Sequence, residues 1–289
     1  MRIRGIRIAM IKQTFLDIKE PSYEDAKAIL VPVPYDAMAS YGAGARFGPE
    51  AILRASQQIE TYDEELERDL ENLPVFTHEP LTPDKSSQEA MVNAVERAVA
   101  KVVAGGKMPV VLGGDHSLSI APTRYFAKKY KGVGILHLDA HSDLRREWEG
   151  SAFSHACSMR HAYDLGAMLV QVGIRSIPKE VHDECREHRK VFLAPNVPVQ
   201  EIVTALPEKV YVSIDLDVFD PSIMPATGTP EPGGISWYDC LALLRHVARE
   251  RKVLGFDVME LAPIPGIVYP EFTAARLVTK FLGYIFSAA

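Results

Sequence analysis

Six side chains able to hold divalent cations stand where apolar runs end: His116, Asp139, His141, Asp143, Asp215 and Asp217. The densest group closes the run Gly-Ile-Leu-His-Leu-Asp-Ala-His-Ser-Asp at 134–143. Residues 133–138 suit a strand buried on both faces. In an extended chain positions i, i+2 and i+4 share a face, so Asp139, His141 and Asp143 would converge at the carboxyl end of that strand. Open α/β sheets bind their ligands at that end. Taken alone, the pattern also fits a solvated turn that follows a strand.

Two more strand ends decide between these readings. Residues 109–117, Pro-Val-Val-Leu-Gly-Gly-Asp-His-Ser, read as a buried strand entering a tight turn, where Gly113 and Gly114 let the backbone bend and deliver His116. Residues 209–221 read as a strand ending in Asp215 and Asp217, before Asp220-Pro221 turns the chain away. Four carboxylates and two neutral imidazoles balance two divalent ions. Without ions, the carboxylates would repel one another at short range. An oxygen-rich set with nitrogen and no thiolate favours manganese over structural zinc, and cobalt or nickel also fits. A water shared by two such ions loses its proton near neutral pH and becomes a nucleophile, so the expected chemistry is metal-assisted hydrolysis.

The rest of the chain reads as the scaffold for these ends. Apolar runs at 28–34, 168–173, 191–194 and 253–260 add strands, and Pro32 and Pro34 suggest a sheet edge or a strand end. Helices fill the intervals: from Pro49 to about Gln58, from the capping-box pattern Ser86-Ser-Gln-Glu89 to about Ala104, up to about Tyr130, from a Ser236/Asp239 cap to about Arg251, and over 270–286. This alternation, without repeat or linker, implies a single domain over 1–289, a three-layer α/β/α sandwich on a central parallel sheet. The acid-dense segment 60–71 reads as solvated surface. The glycine-rich loop 40–50 lacks a phosphate-binding pattern and reads as the lining of a cleft.

Composition narrows the class. A net charge of −6 gives no basic footprint for nucleic acid. No apolar run nears the ~18 residues of a membrane span. Residues 1–11 alternate Arg with Ile and lack the apolar core of at least ~7 residues of a secretory signal. Cys157, Cys185 and Cys240 are dispersed, without C-x-x-C spacing, which argues for a reducing compartment. A cytoplasmic protein without a membrane partner is expected.

Together, Gly113-Gly-Asp-His-Ser117, Asp139-Ala-His-Ser-Asp143 and Ser213-Ile-Asp-Leu-Asp-Val-Phe-Asp-Pro221 resemble the three signatures of the ureohydrolases, the arginase/agmatinase family. Gly44-Ala-Arg-Phe-Gly-Pro-Glu-Ala51 and Thr227-Gly-Thr-Pro-Glu-Pro-Gly-Gly234 extend the likeness over nearly the whole chain. The resemblance implies an arginase-like fold, a homotrimer or homohexamer, and two manganese ions that hydrolyse a guanidinium to urea and an amine. It puts His116, Asp139, Asp143 and Asp215 on one ion, and Asp139, His141, Asp215 and Asp217 on the other. By position, His155 resembles a proton-shuttling histidine near the leaving amine, and Glu260 the carboxylate that grips the guanidinium. A carboxylate suits bidentate pairing with a planar cation, and histidine transfers protons near neutral pH. Asp143 has a second implied role, orienting the nucleophile and relaying its proton.

Arginine-cleaving members carry a Ser-Gly-Asn-x-His-Gly type run after the second motif. Here the corresponding run is Gly150-Ser-Ala-Phe-Ser-His155, without the Asn. The departure points to agmatine, cleaved to urea and putrescine. N1-aminopropylagmatine, guanidinobutyrate and guanidine are rivals in the same small, cationic guanidino class. Glu147 or Glu149 could pair with a cationic tail, although Arg145 and Arg146 make a self-paired, solvated loop an equal reading. A catalytically silent, regulatory relative would have lost ligands, and a single-metal deacetylase would not keep both acidic motifs.

Overall fold

The structure is a computed structural model and describes residues 13–37, 39–185, 187 and 189–287. The expectation for residues 1–11 lies outside the described residues.

Strand and helix alternate along the chain. Its first half runs β1 (Ala28–Pro32), α1 (Gly48–Ser56), a short hairpin of β2 (Tyr62–Asp63) and β3 (Arg68–Asp69), β4 (Val75–Thr77), α2 (Gln88–Ala104), β5 (Met108–Leu112), α3 (Ile120–Lys129) and β6 (Gly134–Leu138). Its second half runs α4 (Arg160–Asp164), β7 (Met168–Ile174), α5 (Lys179–Glu184), β8 (Arg189–Leu193), α6 (Val199–Ala205), β9 (Lys209–Asp215), α7 (Trp237–Glu250), β10 (Lys252–Met259) and α8 (Tyr269–Ser287). Eight strands form one sheet in the order β4-β1-β5-β10-β9-β6-β7-β8. Every pairing in it is parallel.

The strands are apolar on both faces because helices cover both. Leu136, Leu138, Val212 and Ile214 pack toward α1, α6, α7 and α8. Ile135, Tyr211 and Val111 point the other way, toward α2, α3, α4 and α5. This is the three-layer α/β/α sandwich on a parallel sheet that the sequence implied.

Strand order decides where the site falls. β5 and β6 are consecutive in sequence, yet β10 and β9 lie between them. The carboxyl ends of β5, β10, β9 and β6 are therefore side by side at the crossover between the two halves of the sheet, where such sheets bind ligands. They lead into His116, Glu260, Asp215 and Asp139 respectively.

Several local expectations are corrected. Pro32 marks a strand end and not a sheet edge, because β1 pairs on both sides and the edge is the three-residue β4. The cap of α2 is Ser87, whose side chain accepts from the Ala90 amide, one residue beyond the expected Ser86. Segment 60–71 is not wholly solvated: Asp63 is 1% exposed and pairs at 3.0 Å with the buried Lys280 of α8. α8 packs into the core against α1 and α7. All three cysteines are buried and free. Among the described residues no helix is long and apolar enough to cross a membrane.

Candidate active site

The turn after β5 is dictated by close packing. A Cβ on Gly114 would sit 1.7 Å from the Tyr35 carbonyl oxygen, so the second glycine of the motif serves close approach and not bending. Asp115 then caps a single 3-10 turn, accepting from the Ser117 amide at 3.1 Å. That turn carries His116, 1% exposed, toward the ends of β6 and β9.

Asp139 directly follows β6 and divides its carboxylate between two neighbours. Its Oδ2 is 3.0 Å from His116 Nδ1, and its Oδ1 is 3.5 Å from His141 Nδ1. The extended alternation expected over 139–143 does not continue. β6 stops at Leu138, and Asp143 adopts a left-handed φ of 48°. Its carboxylate lies on the His116 side, 3.1 Å from Nδ1, where the Ser158 hydroxyl donates to it at 3.0 Å.

β9 supplies the third end. Asp215 Oδ2 lies 3.2 Å from His116 Nδ1. Its Oδ1 accepts the Asp217 amide at 2.8 Å and so caps a 3-10 turn, Leu216–Val218. That turn brings Asp217 Oδ2 to 2.9 Å from His141 Nδ1. Two clusters result, one around His116 and one of His141 with Asp217, and Asp139 belongs to both.

The donor set can be tested against a metal. His116 Nε2 lies 3.0 Å from Ser213 Oγ, and that hydroxyl donates to Asp257 Oδ1 at 2.8 Å. With its proton so used, Ser213 accepts from Nε2, and Nδ1 is left to face the carboxylates; burial works against a charge on the ring, yet the contacts to Asp139, Asp143 and Asp215 raise it well above its usual value. Nδ1 is buried without a hydrogen-bond partner and faces three carboxylate oxygens within 3.2 Å. Among these carboxylates Nδ1 needs a positive charge, a proton in the ion-free site or a metal ion in its place. Oxygen with imidazole nitrogen and no thiolate suits a divalent ion, so the residues fit one.

The ion-free electrostatics agree. Burial, reinforced by the charges of Asp217 and Asp139, raises the Asp215 carboxyl well above the usual range. Burial and Asp139 raise that of Asp217. His141 is pushed up to about 12: burial works against its charge, and the hydrogen bonds to Asp139 and Asp217 outweigh it. Without ions, the cluster holds protons where cations belong.

Above the cluster opens a cleft of about 230 Å³. Glu260 follows β10 with a left-handed φ of 69°. Its Oε1 accepts the His116 amide at 2.7 Å, and among the described residues none donates to Oε2. Protein atoms crowd it although one side meets the cleft, and this desolvation, with the charge of Asp115, raises its carboxyl to about 8. His155 begins a 3-10 turn at the cleft wall, its Nε2 3.3 Å from Ser40 Oγ. Trp148 Nε1 donates to the same oxygen at 3.1 Å. The glycine-rich loop and the loop beyond Asp143 thereby meet at the mouth of the cleft.

Of the residues singled out in the sequence, His116, His141, Asp143, Asp215, His155 and Glu260 line this cleft, and Asp139 and Asp217 are buried among their partners. Glu147 and Glu149 are exposed and are not among its walls. Trp148 between them is a wall residue, with the Arg145 guanidinium 4.5 Å from its ring centre and Arg145 paired to Glu180. The loop 40–50, read from the sequence as the lining of a cleft, contributes Ser40 to its wall. Sequence reasoning missed His137, although the alternation that places Asp139 on one face of β6 places His137 there too.

The sequence profile of the Arginase family matches residues 26–283. The chain is 40% identical to the N(1)-aminopropylagmatine ureohydrolase of Synechocystis, an alignment covering 91% of this chain and 90% of that one. It is 32% identical to the agmatinase of Pyrococcus horikoshii, over 93% and 95% of the two. The crystal structure of the agmatine ureohydrolase of Thermoplasma volcanium superposes with a TM-score of 0.88 at 28% identity, covering 96% of each chain. The chain belongs to the arginase family.

Proposed function

We propose that the protein is a binuclear manganese ureohydrolase that cleaves the guanidinium of agmatine or its N1-aminopropyl derivative. Water and the guanidinium give urea and a terminal ammonium. The observation that carries this reading is Asp139, shared by two ligand clusters on the floor of a cleft that Glu260 also enters.

His116, Asp139, Asp143 and Asp215 would hold one ion, and Asp139, His141, Asp215 and Asp217 the other. When bound, the ions supply Lewis acidity and an activated water. Glu260, with Oε2 free, pairs with the planar guanidinium and fixes its carbon above the ligands. The Asp143 carboxylate orients the nucleophile and takes its proton. His155, at the wall, hands a proton to the departing amine.

The sequence alone favours agmatine. Three relatives at 39–40% identity are N(1)-aminopropylagmatine ureohydrolases, and agmatinases stand at 32–36%, with one further aminopropylagmatine ureohydrolase among them at 35%. That balance favours the longer chain as the preferred substrate, with agmatine held by the same guanidinium site. The tail would leave past Trp148 and Ser40, and Glu147 or Glu149 could meet it outside the cleft. The assembly is proposed as a homotrimer or homohexamer in the cytoplasm, which sedimentation and fractionation would check.

The test is urea release after manganese loading, with agmatine, N1-aminopropylagmatine, arginine and guanidinobutyrate. Urea from either of the first two supports the reading. No urea from any would remove it, and urea mainly from arginine would remove the substrate assignment.

A further inference from the structure

We propose that Gln171 and His137 form a positioning pair that locks the Asp139 carboxylate between the two ligand clusters, His137 acting as a hydrogen-bond donor and not as a metal ligand. The inference rests on the metal reading above.

The residues lie side by side in the sheet. His137 of β6 is in register with Gln171 of β7, and both are fully buried. Gln171 Nε2 is 2.8 Å from the Ser142 carbonyl oxygen and 2.8 Å from His137 Nδ1. A carbonyl oxygen only accepts, so the atom facing Ser142 must be the amide nitrogen; the flipped amide would set oxygen against oxygen. The same nitrogen therefore donates to His137 Nδ1. That makes Nδ1 an acceptor and puts the ring proton on Nε2.

His137 Nε2 lies 2.8 Å from Asp139 Oδ2. Its ring nitrogen falls within the cluster of His116, Asp139 and Asp143, close enough to be counted with the possible ligands. A nitrogen that carries a proton has no lone pair for an ion. His137 is thus a donor to the bridging carboxylate. The other oxygen, Oδ1, accepts the His141 amide at 2.5 Å. With one donor on each oxygen, Asp139 cannot rotate, and each oxygen keeps its remaining lone pair for its own cluster.

A second observation separates this role from simple packing. Gln171 Oε1 is buried with no hydrogen-bond partner. The unsatisfied buried Oε1 costs free energy that offsets part of what the two Nε2 hydrogen bonds contribute. What Gln171 adds is one side chain tied both to the His137 ring and to the loop that carries Asp143. Groups of this kind set the orientation and basicity of a ligand.

The experiment measures manganese affinity and stoichiometry by chelator competition, with thermal unfolding of the metal-free protein as the control for folding. Gln171→Leu removes the unpartnered Oε1 but also leaves His137 Nδ1 and the Ser142 carbonyl without their donor, so it should fold with some loss of metal-free stability and bind manganese about 10- to 100-fold more weakly. Its kcat should fall with little change in KM. His137→Gln, whose amide nitrogen can reach the position of Nε2, should restore most of the affinity that His137→Phe loses. Wild-type affinity in both Gln171→Leu and His137→Phe would overturn the proposal. Loss of an ion from His137→Gln equal to the loss in His137→Phe would overturn it as well, by making His137 a ligand. A wild-type protein that binds no manganese would instead remove the metal reading itself.

Discussion

Asp217 reaches from the end of β9 to accept the backbone amide of Ala140 at 3.0 Å. Ala140 lies between two ligands, so a carboxylate from one strand pins the ligand loop of its neighbour. Asp217 Oδ2 meanwhile faces His141 Nδ1. One side chain therefore both binds and positions.

That double role predicts a graded series. Asp217→Asn keeps an oxygen for Ala140 and loses the charge, whereas Asp217→Ala loses both. Manganese content should fall toward one ion per chain in each, with turnover down at least about 100-fold, since binuclear activation of water is lost. The alanine variant should also unfold at a lower temperature than the asparagine variant. Metal analysis with two ions retained in Asp217→Ala would contradict the binuclear assignment.

Metal binding should release protons. In the ion-free protein burial and neighbouring carboxylates raise Asp215 and Asp217, and carboxylate contacts raise His141 to about 12. His141, at about 12, holds a proton at neutral pH, and an incoming ion must displace it. The sign follows: affinity weakens as pH falls, because protons compete for the same atoms. Calorimetry in buffers of different ionisation enthalpy should show different apparent binding enthalpies. Buffer-independent heats would show that no proton leaves.

Much of this site was legible in the sequence, because the ligands sit at the ends of strands whose apolar runs are continuous. What was not legible depended on backbone geometry or on distant partners. The alternation rule located Asp139 but misplaced Asp143, which reaches the His116 side through a left-handed φ of 48° that a non-glycine residue rarely adopts. Asp63 and Lys280 are 217 positions apart, and neither carries a local sign of burial. β4 and α4 are too short for a periodic pattern to identify.

The Asp63–Lys280 pair leads to a prediction away from the cleft. Lys280 is 4% exposed and contacts Asp63, Glu64 and Glu65. Lys280→Met leaves the Asp63 carboxylate buried without its cation, which costs about 3 kcal/mol or more. Thermal unfolding should show the loss, while turnover per bound manganese pair stays at the wild-type level. Wild-type stability would mean that water or another cation reaches Asp63.

Glu260→Gln should separate substrate binding from metal binding. Its Oε1 holds the His116 amide, a bond that the amide oxygen of Gln can keep. What disappears is the carboxylate charge that forms opposite the guanidinium once the cationic substrate displaces the proton that a carboxyl at about 8 holds at neutral pH. Hydrogen bonds to charged groups contribute about 1.5–3 kcal/mol, so kcat/KM should fall roughly 10- to 150-fold. Manganese content should remain at two. A drop in metal content of the same size would make Glu260 a structural support of the ligands.

Arg145 gives the sharpest handle on substrate length. It stacks on Trp148 at the mouth of the cleft, 31% exposed, and pairs at 2.6 Å with Glu180, itself 66% exposed. A polyamine tail leaving the cleft there meets a like charge, which weakens binding and is screened by salt. N1-aminopropylagmatine carries more of that positive tail than agmatine. Arg145→Ala should therefore lower KM for the longer substrate by about two- to fivefold at low ionic strength, and for agmatine by less. Raising the salt to molar levels should erase the difference. An equal effect on both substrates, or one that survives high salt, would mean that the tail takes another exit and that Trp148 does not stand on its path.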